Sequence, residues 1–243
     1  MKKNIYIIIP TFNEEKNILP LITVIRNNIP NSIICIVDDS PEDKIKKLLN
    51  REKIKKIFYF HRKNTTGRGS AVLFGLKKIY RKKKEQIFIE MDADFSHNPL
   101  ELKRNINFFI KNKSDLLISS RYLPKSKIID WPLSRRLFSR MSNLLAILVL
   151  NIKVSDYTNG FRIYSSNAVN LVLKKCGKIG DGFIILSEIL LAVDINNFRI
   201  NEINSIFVNR LRGKSSVNIF LIIKSLFGLF KLFLTKKSYI LKQ

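Results

Sequence analysis

Two aspartates separated by one residue, Asp92 and Asp94, stand directly after an apolar run of the chain. Residues Ile87 to Met91 have the composition of a buried strand, and Pro99 suits the first turn of a following helix. Both carboxylates should therefore lie at the carboxyl end of a strand, where open α/β sheets bind ligands. Such oxygens can bind Mg²⁺ or Mn²⁺ that bridges to nucleotide phosphates. An ordinary acidic turn is the alternative.

Polar groups follow two other apolar runs in the same way. Asp38 and Asp39 end one run, and a carboxylate there suits a ribose hydroxyl or the donor edge of a nucleobase. The alternative is a helix cap with Pro41 in the first turn. Arg121 follows a third run, where it is placed to meet a phosphate or to form a surface ion pair.

Five short apolar runs are separated by segments of helical periodicity. This alternation predicts βαβ units and an α/β fold with a mostly parallel, buried sheet flanked by helices. The predicted strands are Ile5 to Ile9, Ile33 to Val37, Ile57 to Phe60, Ile87 to Met91 and Leu116 to Ser119. The predicted helices are Asn17 to Asn28, a helix ending near Tyr80, Ser134 to Leu150, one within Asp181 to Asp194, and Val217 to Thr235.

A glycine-containing loop, Gly67-Arg68-Gly69, opens the helix that ends near Tyr80. Glycines allow close backbone approach to a ligand, and the free amides of a helix start can face an anion. The loop matches neither the Walker A pattern nor GxGxxG, because Val72 occupies the third glycine position. A plain loop-to-helix junction is the alternative interpretation.

The composition restricts the class of protein. The chain has 243 residues, enough for one domain or one domain with an appendage, and 46% hydrophobic residues exclude disorder. The net charge of +25 predicts a polyanionic partner, namely nucleic acid, an anionic membrane or phosphorylated substrates. Acidic side chains at strand ends would repel a nucleic-acid backbone, which argues against the first of these.

Two cysteines, Cys35 and Cys176, have no CxxC or CxxH spacing. They are typical of reduced residues in an intracellular protein. The apolar run Ile5 to Ile9 is too short for a signal-peptide core or a membrane span, so it is interpreted as a strand.

Two helices could contact a membrane. Ser134 to Leu150 begins with basic residues and continues as an apolar segment, which suits a membrane surface or a buried core. Val217 to Thr235 carries Lys224 and Lys231 on a narrow polar stripe with Asn218, Ser225, Gly228 and Thr235. Its wide apolar face and basic flanks favour an interfacial helix, with a core-packing terminal helix as the alternative.

Glu188 is the lone acid between Ile184 and Leu191 on an otherwise apolar helix. A buried carboxylate requires a partner, so it should either pair with a nearby arginine or lie near the active site.

The order of the motifs resembles one enzyme family across nearly the whole chain, from Ile5 to about Thr235. These motifs resemble those of polyprenol-phosphate (dolichol-phosphate) mannose synthases, which are inverting glycosyltransferases with a GT-A fold. They are Pro10-Thr11-Phe12-Asn13-Glu14, Asp38-Asp39-Ser40-Pro41, Gly67-Arg68-Gly69-Ser70-Ala71, Met91-Asp92-Ala93-Asp94-Phe95-Ser96-His97, Ser120-Arg121-Tyr122, Asp156-Tyr157-Thr158-Asn159-Gly160-Phe161-Arg162 and Phe207-Val208-Asn209-Arg210.

The resemblance implies transfer of mannose from GDP-mannose to a polyprenyl (dolichyl) monophosphate, with Mg²⁺ or Mn²⁺. A related transferase that uses UDP-glucose or another sugar nucleotide is the alternative, and a basic nucleic-acid-binding protein is a remote one. We expect a peripheral enzyme on the cytoplasmic face of an anionic membrane, with no nucleic-acid partner. Residues 1–215 would form the catalytic domain, and residues 216–243 an amphipathic interface helix and basic tail.

The resemblance also implies roles for individual residues. Asp92, Ala93 and Asp94 correspond to the segment that binds the sugar nucleotide and the metal, with Asp94 as the main ligand and Ser96 as a further metal contact. The residues that correspond to the nucleoside pocket are Pro10, Phe12, Glu14, Val37 and Asp39.

The arginines form a second implied group. Arg121 and Arg210 resemble the arginines that hold donor and acceptor phosphates, and together with Asp94 they are the implied catalytic residues. Arg162 is a further candidate for the same work. Ser216 stands where many family members have a lysine, which is a departure from the family pattern.

Overall fold

The computed structural model describes residues 4–63, 65, 67–82, 86–209 and 219–241. This part of the chain contains nine strands and eight α-helices. The strands are β1 (Asn4–Thr11), β2 (Ile33–Asp38), β3 (Ile57–His61), β4 (Gln86–Glu90), β5 (Leu116–Ser120), β6 (Lys127–Ile129), β7 (Arg162–Ser165), β8 (Ile200–Asn204) and β9 (Ile206–Val208). The helices are α1 (Ile18–Asn28), α2 (Lys44–Arg51), α3 (Arg68–Ile79), α4 (Leu102–Lys111), α5 (Leu133–Leu150), α6 (Ser166–Lys175), α7 (Ile184–Ile195) and α8 (Ile219–Thr235).

The main sheet has the strand order β3-β2-β1-β4-β7-β5-β8. Every pair in it is parallel except those that involve β7, which runs antiparallel between β4 and β5. The five predicted strands and the mostly parallel sheet are confirmed. Strands β6 and β9 form a separate parallel pair.

Helices cover both faces of the sheet because successive strand residues point to opposite sides. Ile8 and Phe88 lie in a core cluster with α3, α6 and α7. Ile7 and Ile9 lie in a second cluster with α1, α2 and α4. The central strands are therefore apolar on both faces, as expected of a parallel sheet between two helical layers.

The starts of three helices test the predicted caps. Asn17 precedes α1, but its side chain donates to Glu14 Oε2 at 2.6 Å and makes no capping hydrogen bond. Pro41 is not in the first turn of a helix, since α2 begins only at Lys44, so that interpretation was wrong. Pro99 does begin a short 3₁₀ helix before α4, and its cap is the Asn98 side chain.

A buried carboxylate, that of Glu101, holds the start of β9. Glu101 accepts a hydrogen bond from Ser205 Oγ at 2.5 Å and from the Ile206 amide at 3.0 Å. These bonds tie the start of β9 to the 3₁₀ helix that precedes α4.

The C-terminal helix α8 packs against α5 and α7. Leu229 and Leu232 are buried in the same core cluster as α7, whereas Phe227 and Phe230 on the other side are exposed. Gly228 lies on the buried side, where a Cβ would lie 2.7 Å from Ile184 Cγ1. Gly228 is therefore not part of an outward polar stripe, and the helix is core-packing on one side and apolar and exposed on the other.

Within the described part of the chain, Glu188 is held by two main-chain amides and a tyrosine hydroxyl and not by the arginine considered for it. Its carboxylate accepts hydrogen bonds from the Gly177 amide at 2.9 Å, the Lys178 amide at 3.1 Å and the Tyr239 hydroxyl at 2.7 Å. The buried acid thus ties the residues just after α8 to the α6–α7 connection.

Two features bear on compartment and membrane. Cys35 and Cys176 are free thiols. Across the residues that the structure describes, no helix combines the length and hydropathy required to cross a bilayer.

Candidate active site

The Asp92-to-His97 loop, here called the acidic loop, follows β4 at the carboxyl edge of the sheet. The Ser96 amide donates to Asp94 Oδ1 at 3.0 Å, and the Asp94 side chain is buried. Phe95 has a φ of 62°, in the left-handed region that non-glycine residues rarely occupy. Such strained positions concentrate at ligand-binding sites.

His97 closes this loop. The Asp92 amide donates to His97 Nδ1 at 3.0 Å, so the ring is the Nε2–H tautomer, which donates to Asn159 Oδ1 at 2.9 Å. The ring also stacks on Phe161 with centroids 5.2 Å apart. Burial lowers the pKa of His97, in agreement with a neutral imidazole. Its role is to hold the loop against the Asn159 turn.

Arg68, the first residue of α3, pairs with two acids. Its Nε donates to Asp92 Oδ1 at 2.7 Å and its Nη1 to Glu90 Oε1 at 2.5 Å. Glu90 is fully buried and also accepts from the Tyr164 hydroxyl at 2.7 Å. Burial alone would lower the pKa of Arg68, but the two carboxylates outweigh it and raise the pKa.

The two glycines at the start of α3, Gly67 and Gly69, serve packing. Gly67 has a φ of +134°, and a Cβ on it would lie 2.7 Å from the Asp181 carbonyl oxygen. A Cβ on Gly69 would collide with the Gly182 carbonyl and with Ile185. The structure therefore favours the loop-to-helix junction over an anion-binding loop.

At the ends of β2 and β3, the two acids are already engaged. Arg62 donates to both oxygens of Asp39, with Nε and Nη2 at 2.6 Å from them. Asp38 accepts from Ser40 Oγ at 2.5 Å and from the Tyr59 hydroxyl at 2.8 Å. A nucleoside contact from Asp39 would therefore come from a carboxylate whose orientation Arg62 fixes.

The other predicted nucleoside residues lie at the end of β1 and β2. Phe12 is 52% exposed, as a ring that stacks on a base requires. Pro10 pairs with Val37 in the β1–β2 register. The Val37 side chain is buried in the core, so any nucleoside contact from it would come from the main chain. Glu14 accepts from the Asn17 side chain and begins the turn into α1.

Arg121 follows β5 and is buried in a salt bridge. Its Nε and Nη2 each lie 2.8 Å from an oxygen of Asp156, and Nη2 also donates to Thr158 Oγ1 at 2.6 Å. Burial would raise the pKa of Asp156, but Arg121 outweighs it and lowers the pKa. The guanidinium lies 5.4 Å from the Phe207 ring centre and 5.7 Å from that of Trp131. The surface ion pair considered for Arg121 is thus a buried pair inside an aromatic cluster.

The acidic loop and Arg121 meet through β9. The Val208 amide donates to the Ser96 carbonyl at 3.2 Å. Phe207 contacts the His97 ring edge-on, with centroids 5.5 Å apart, and its ring also packs on Arg121. The structure therefore brings together two of the predicted catalytic groups, the loop of Asp94 and Arg121.

Arg162 does not belong to this group. It is fully buried, and it donates to the carbonyls of Asn159, Leu186 and Tyr157 at 2.7–2.9 Å. Arg162 is therefore a buried structural residue and not the phosphate-binding arginine that the resemblance implied. Arg210 and Ser216 lie outside the described residues.

The donor set fits a divalent metal that is shared with a substrate. No group of three or more His, Cys, Asp or Glu side chains within the described ranges could hold an ion. Mg²⁺ and Mn²⁺ do not require such a cage, since one or two carboxylates plus substrate phosphates and water suffice. Asp94, with the Ala93 carbonyl and Ser96 beside it, could supply the protein part of such a site.

Four site residues escaped prediction from the sequence: Arg62, Arg68, His97 and Asp156. Each is the partner of a residue that the motifs did identify. For Arg62, Arg68 and Asp156 the available signal was that a buried charge needs a counter-charge, but the sequence does not show which one. His97 is neutral and gave no such signal.

A mostly parallel sheet with an Asp-Ala-Asp loop and a buried arginine at its carboxyl edge is the arrangement of a GT-A glycosyltransferase. A family model described as Glycosyl transferase family 2 matches residues 6–172. The chain therefore belongs to this family, and it is an enzyme of the glycosyltransferase class.

Two curated relatives align over most of the chain. Polyprenol monophosphomannose synthase of Mycolicibacterium smegmatis is 27% identical over 219 residues, 87% of this chain and 80% of the relative. Undecaprenyl-phosphate mannosyltransferase of Micrococcus luteus is 28% identical over 218 residues, 87% of this chain and 86% of the relative. The resemblance to polyprenol-phosphate mannose synthases is confirmed.

Solved structures confirm the fold. Glucosyl-3-phosphoglycerate synthase of Mycobacterium tuberculosis, in complex with Mn²⁺, uridine diphosphate and phosphoglyceric acid, superposes with a TM-score of 0.68 and 14% identity. The match covers 99% of this chain and 80% of that one. The same enzyme with uridine diphosphate gives a TM-score of 0.65, again at 14% identity. At this identity, the likeness establishes the fold alone.

Proposed function

We propose that this glycosyltransferase moves mannose from GDP-mannose to a polyprenyl (dolichyl) monophosphate at a membrane surface, with inversion. The observation that carries the proposal is that β9 contacts both the acidic loop and Arg121. This contact joins the acidic loop, which could bind a metal, to the Arg121 guanidinium at the same edge of the sheet. The names of the two curated relatives support mannose and a polyprenyl phosphate.

The donor would lie along the carboxyl edge of β1, β2 and β4. Phe12 would stack on the base, Asp39 would contact the nucleoside, and Asp92 would orient the donor sugar or ribose. Asp94, with Ala93 and Ser96, would hold the divalent metal against the diphosphate. When bound, the metal would supply positive charge to the leaving nucleoside diphosphate.

The acceptor needs little activation. A phosphate monoester is already ionised near neutral pH, so its oxygen can attack the anomeric carbon without a strong general base. Nε and Nη2 of Arg121 already donate hydrogen bonds to Asp156 and Thr158. In this proposal the phosphate is therefore contacted by Nη1. Arg121 and Arg210 would stabilise the charge that develops on the phosphates as the donor bond breaks.

The membrane would meet the outer face of α5 and α8. Leu133 at the start of α5 is 81% exposed and Phe227 on α8 is 73% exposed. The other exposed apolar residues of this surface, here called the α5/α8 face, are Leu137, Met141, Leu144, Leu145, Leu148, Leu226, Phe230, Phe233 and Leu234. Exposed apolar side chains concentrated on two helices that pack together mark an interaction site.

Basic residues flank the α5/α8 face. Arg140, Lys231, Lys236 and Lys237 are exposed on or beside it. Apolar side chains between cations suit an anionic membrane interface. In this proposal the enzyme is peripheral on the cytoplasmic side, residues 1–215 form the catalytic domain, and residues 216–243 form the interface helix and basic tail.

The experiment is a transfer assay over a matrix of substrates. GDP-mannose, UDP-glucose and related donors are each combined with a short polyprenyl monophosphate or with 3-phosphoglycerate, in Mg²⁺ or Mn²⁺. We expect mannosyl transfer from GDP-mannose to the polyprenyl phosphate only. Transfer from UDP-glucose would replace the donor by the alternative, and transfer to 3-phosphoglycerate alone would overturn the lipid acceptor.

A further inference from the structure

The Arg68 guanidinium joins a core acid to an acid of the active site. Glu90 is in β4 and fully buried, whereas the Asp92 side chain is 27% exposed at the cleft. Arg68 donates to both from a side chain that is only 13% exposed. No motif of the sequence gave this arginine a role of its own.

We propose that Arg68 is a positioning residue that fixes the Asp92 carboxylate toward the donor and keeps it from becoming a second metal ligand. The inference rests on the proposed function, since it assigns the donor to Asp92 and the metal to Asp94. It divides the work of two carboxylates that stand only one residue apart.

The orientation of Asp92 is set from the core. The Tyr164 hydroxyl donates to Glu90, Glu90 accepts from Nη1 of Arg68, and Nε of Arg68 donates to Asp92. Arg68 is confined on another side, because Nη2 donates to the Gly160 carbonyl and a Cβ at Gly160 would collide with the guanidinium. A planar guanidinium held at three nitrogens cannot turn, so it presents Nε–H to Asp92 in one direction.

The charge of Arg68 acts in the same sense. Glu90, Asp92 and Asp94 place three carboxylates at the end of one strand, and Arg68 compensates the first two. Without this cation, the electrostatic potential at Asp94 becomes more negative, and Asp92 can turn toward a bound ion. Metal binding should then tighten while donor binding weakens, because the donor loses an oriented hydrogen-bond acceptor.

The test compares two variants that differ only at position 68. The reference is Glu90→Gln, and the second protein is Arg68→Met with Glu90→Gln, which leaves no unpaired charge in the core. Mn²⁺ alone is titrated and followed by electron paramagnetic resonance, and donor kinetics are measured at saturating Mn²⁺. Relative to Glu90→Gln, we expect the double variant to bind Mn²⁺ about tenfold more tightly. We also expect about a tenfold higher KM for the donor, in line with the loss of one charge-assisted interaction.

A conservative variant separates charge from geometry. Arg68→Lys keeps the positive charge but not the two-pronged contact with Glu90 and Asp92. Its Mn²⁺ affinity should stay within about twofold of wild type while the donor KM still rises. A purely structural role would not tighten Mn²⁺ binding in the double variant while it weakens donor binding in both the double variant and Arg68→Lys.

The inference is overturned if the two matched variants, both folded by circular dichroism, have equal Mn²⁺ affinity and equal donor KM. Arg68 would then have only a structural role. A wild-type chain that transfers sugar from no donor would instead refute the proposed function. The Mn²⁺ titration decides the role of Arg68 in that case as well, because it needs no turnover.

Discussion

The carboxyl edge of the sheet and the α5/α8 face differ in what they bury: the first buries charged side chains, and the second exposes apolar ones. At the sheet edge, several charged side chains are buried and paired with a charged group from another segment of the chain, as Arg121 is with Asp156 and Asp39 is with Arg62. On the α5/α8 face, apolar side chains stand exposed and only one side of α8 is buried.

Each arrangement is costly in water unless something offsets it. A buried ion is tolerated only when its partner and hydrogen bonds replace hydration, so the partners at the sheet edge are already in the chain. An exposed apolar surface is stabilised when it is covered, and in the proposed function a membrane surface covers the α5/α8 face. The first region is therefore preorganised for chemistry and the second for docking.

Removing a partner at the sheet edge should have the largest effect. Asp156→Ala leaves the Arg121 guanidinium buried without its carboxylate and frees the Thr158 and Asn159 amides that Asp156 also accepts from. We expect a loss of about 3–5 kcal/mol in the free energy of unfolding, measured in urea. Glu52→Ala removes an exposed acid at the end of α2 and should change it by less than about 0.5 kcal/mol. A loss below about 1 kcal/mol for Asp156→Ala would show that the pair is not stabilising.

The same variant has a defined pH dependence. Because Arg121 lowers the pKa of Asp156 in the folded state, the pair contributes fully above the unfolded value of about 3.9. The contribution is lost as the pH falls through the folded pKa. The difference in unfolding free energy between wild type and Asp156→Ala should be constant above about pH 5 and shrink below about pH 4. A difference that shrinks on the alkaline side would reverse the assignment.

Asp94→Ala tests the chemistry of the same edge. It removes the proposed main metal ligand and should lower kcat on the order of a hundredfold or more, about 2.7 kcal/mol of transition-state stabilisation. The assay is sugar transfer at saturating donor and metal, and Glu52→Ala again serves as the control for loss of an acid. Near-normal turnover with metal present would remove Asp94 from the mechanism.

The sequence predicted the elements of the fold better than their pairing. Apolar runs identified β1 to β5 because a short run of apolar and β-branched residues is a local pattern. The insertion of the four-residue β7 between β4 and β5 depends on contacts far along the chain, which no local pattern shows. Strand β8 was missed, since its Ile200-Asn201-Glu202-Ile203-Asn204 sequence is half polar at a sheet edge.

The site shows the same limit. Asp92, Asp94 and Arg121 were identified as functional candidates from their position after strands, which is local information. Arg62 is 23 residues from Asp39 and Asp156 is 35 from Arg121, so those pairings became visible only in three dimensions. Arg162 carried a phosphate-binding assignment by motif, although the sheet buries it.

The α5/α8 face should respond to charge without losing the fold. Leu137→Glu with Leu144→Glu places two acids among exposed apolar residues of α5. We expect at least about tenfold weaker binding to anionic liposomes in a sedimentation assay, through lost apolar burial and added repulsion. Ile110→Glu makes the same change on α4 in the opposite layer and should leave binding unchanged. Indifference of the wild-type chain to lipid charge at low salt would count against a membrane partner.

The smallest effect concerns the hydrogen bond between Tyr239 and Glu188, which holds the end of α8 to the core. Tyr239, just after α8, is buried and donates to Glu188, a fully buried acid of α7. Tyr239→Phe removes this donor from a carboxylate that keeps two backbone amides, so the free energy of unfolding should fall by about 1–2 kcal/mol. Ser238→Ala, one residue earlier and exposed, should cost less than about 0.5 kcal/mol in the same urea experiment.

The Tyr239→Phe result also distinguishes two views of α8. If α8 unfolds with the body, the single cooperative transition should shift as a whole, because its Leu229 and Leu232 share the core of α7. If α8 is a separate appendage, the variant should instead detach the helix in an early transition and leave the main one unmoved. An early transition would mean that the buried Glu188 does not hold α8 in the fold. A cooperative shift would mean that a buried carboxylate also stabilises the helix that carries part of the α5/α8 face.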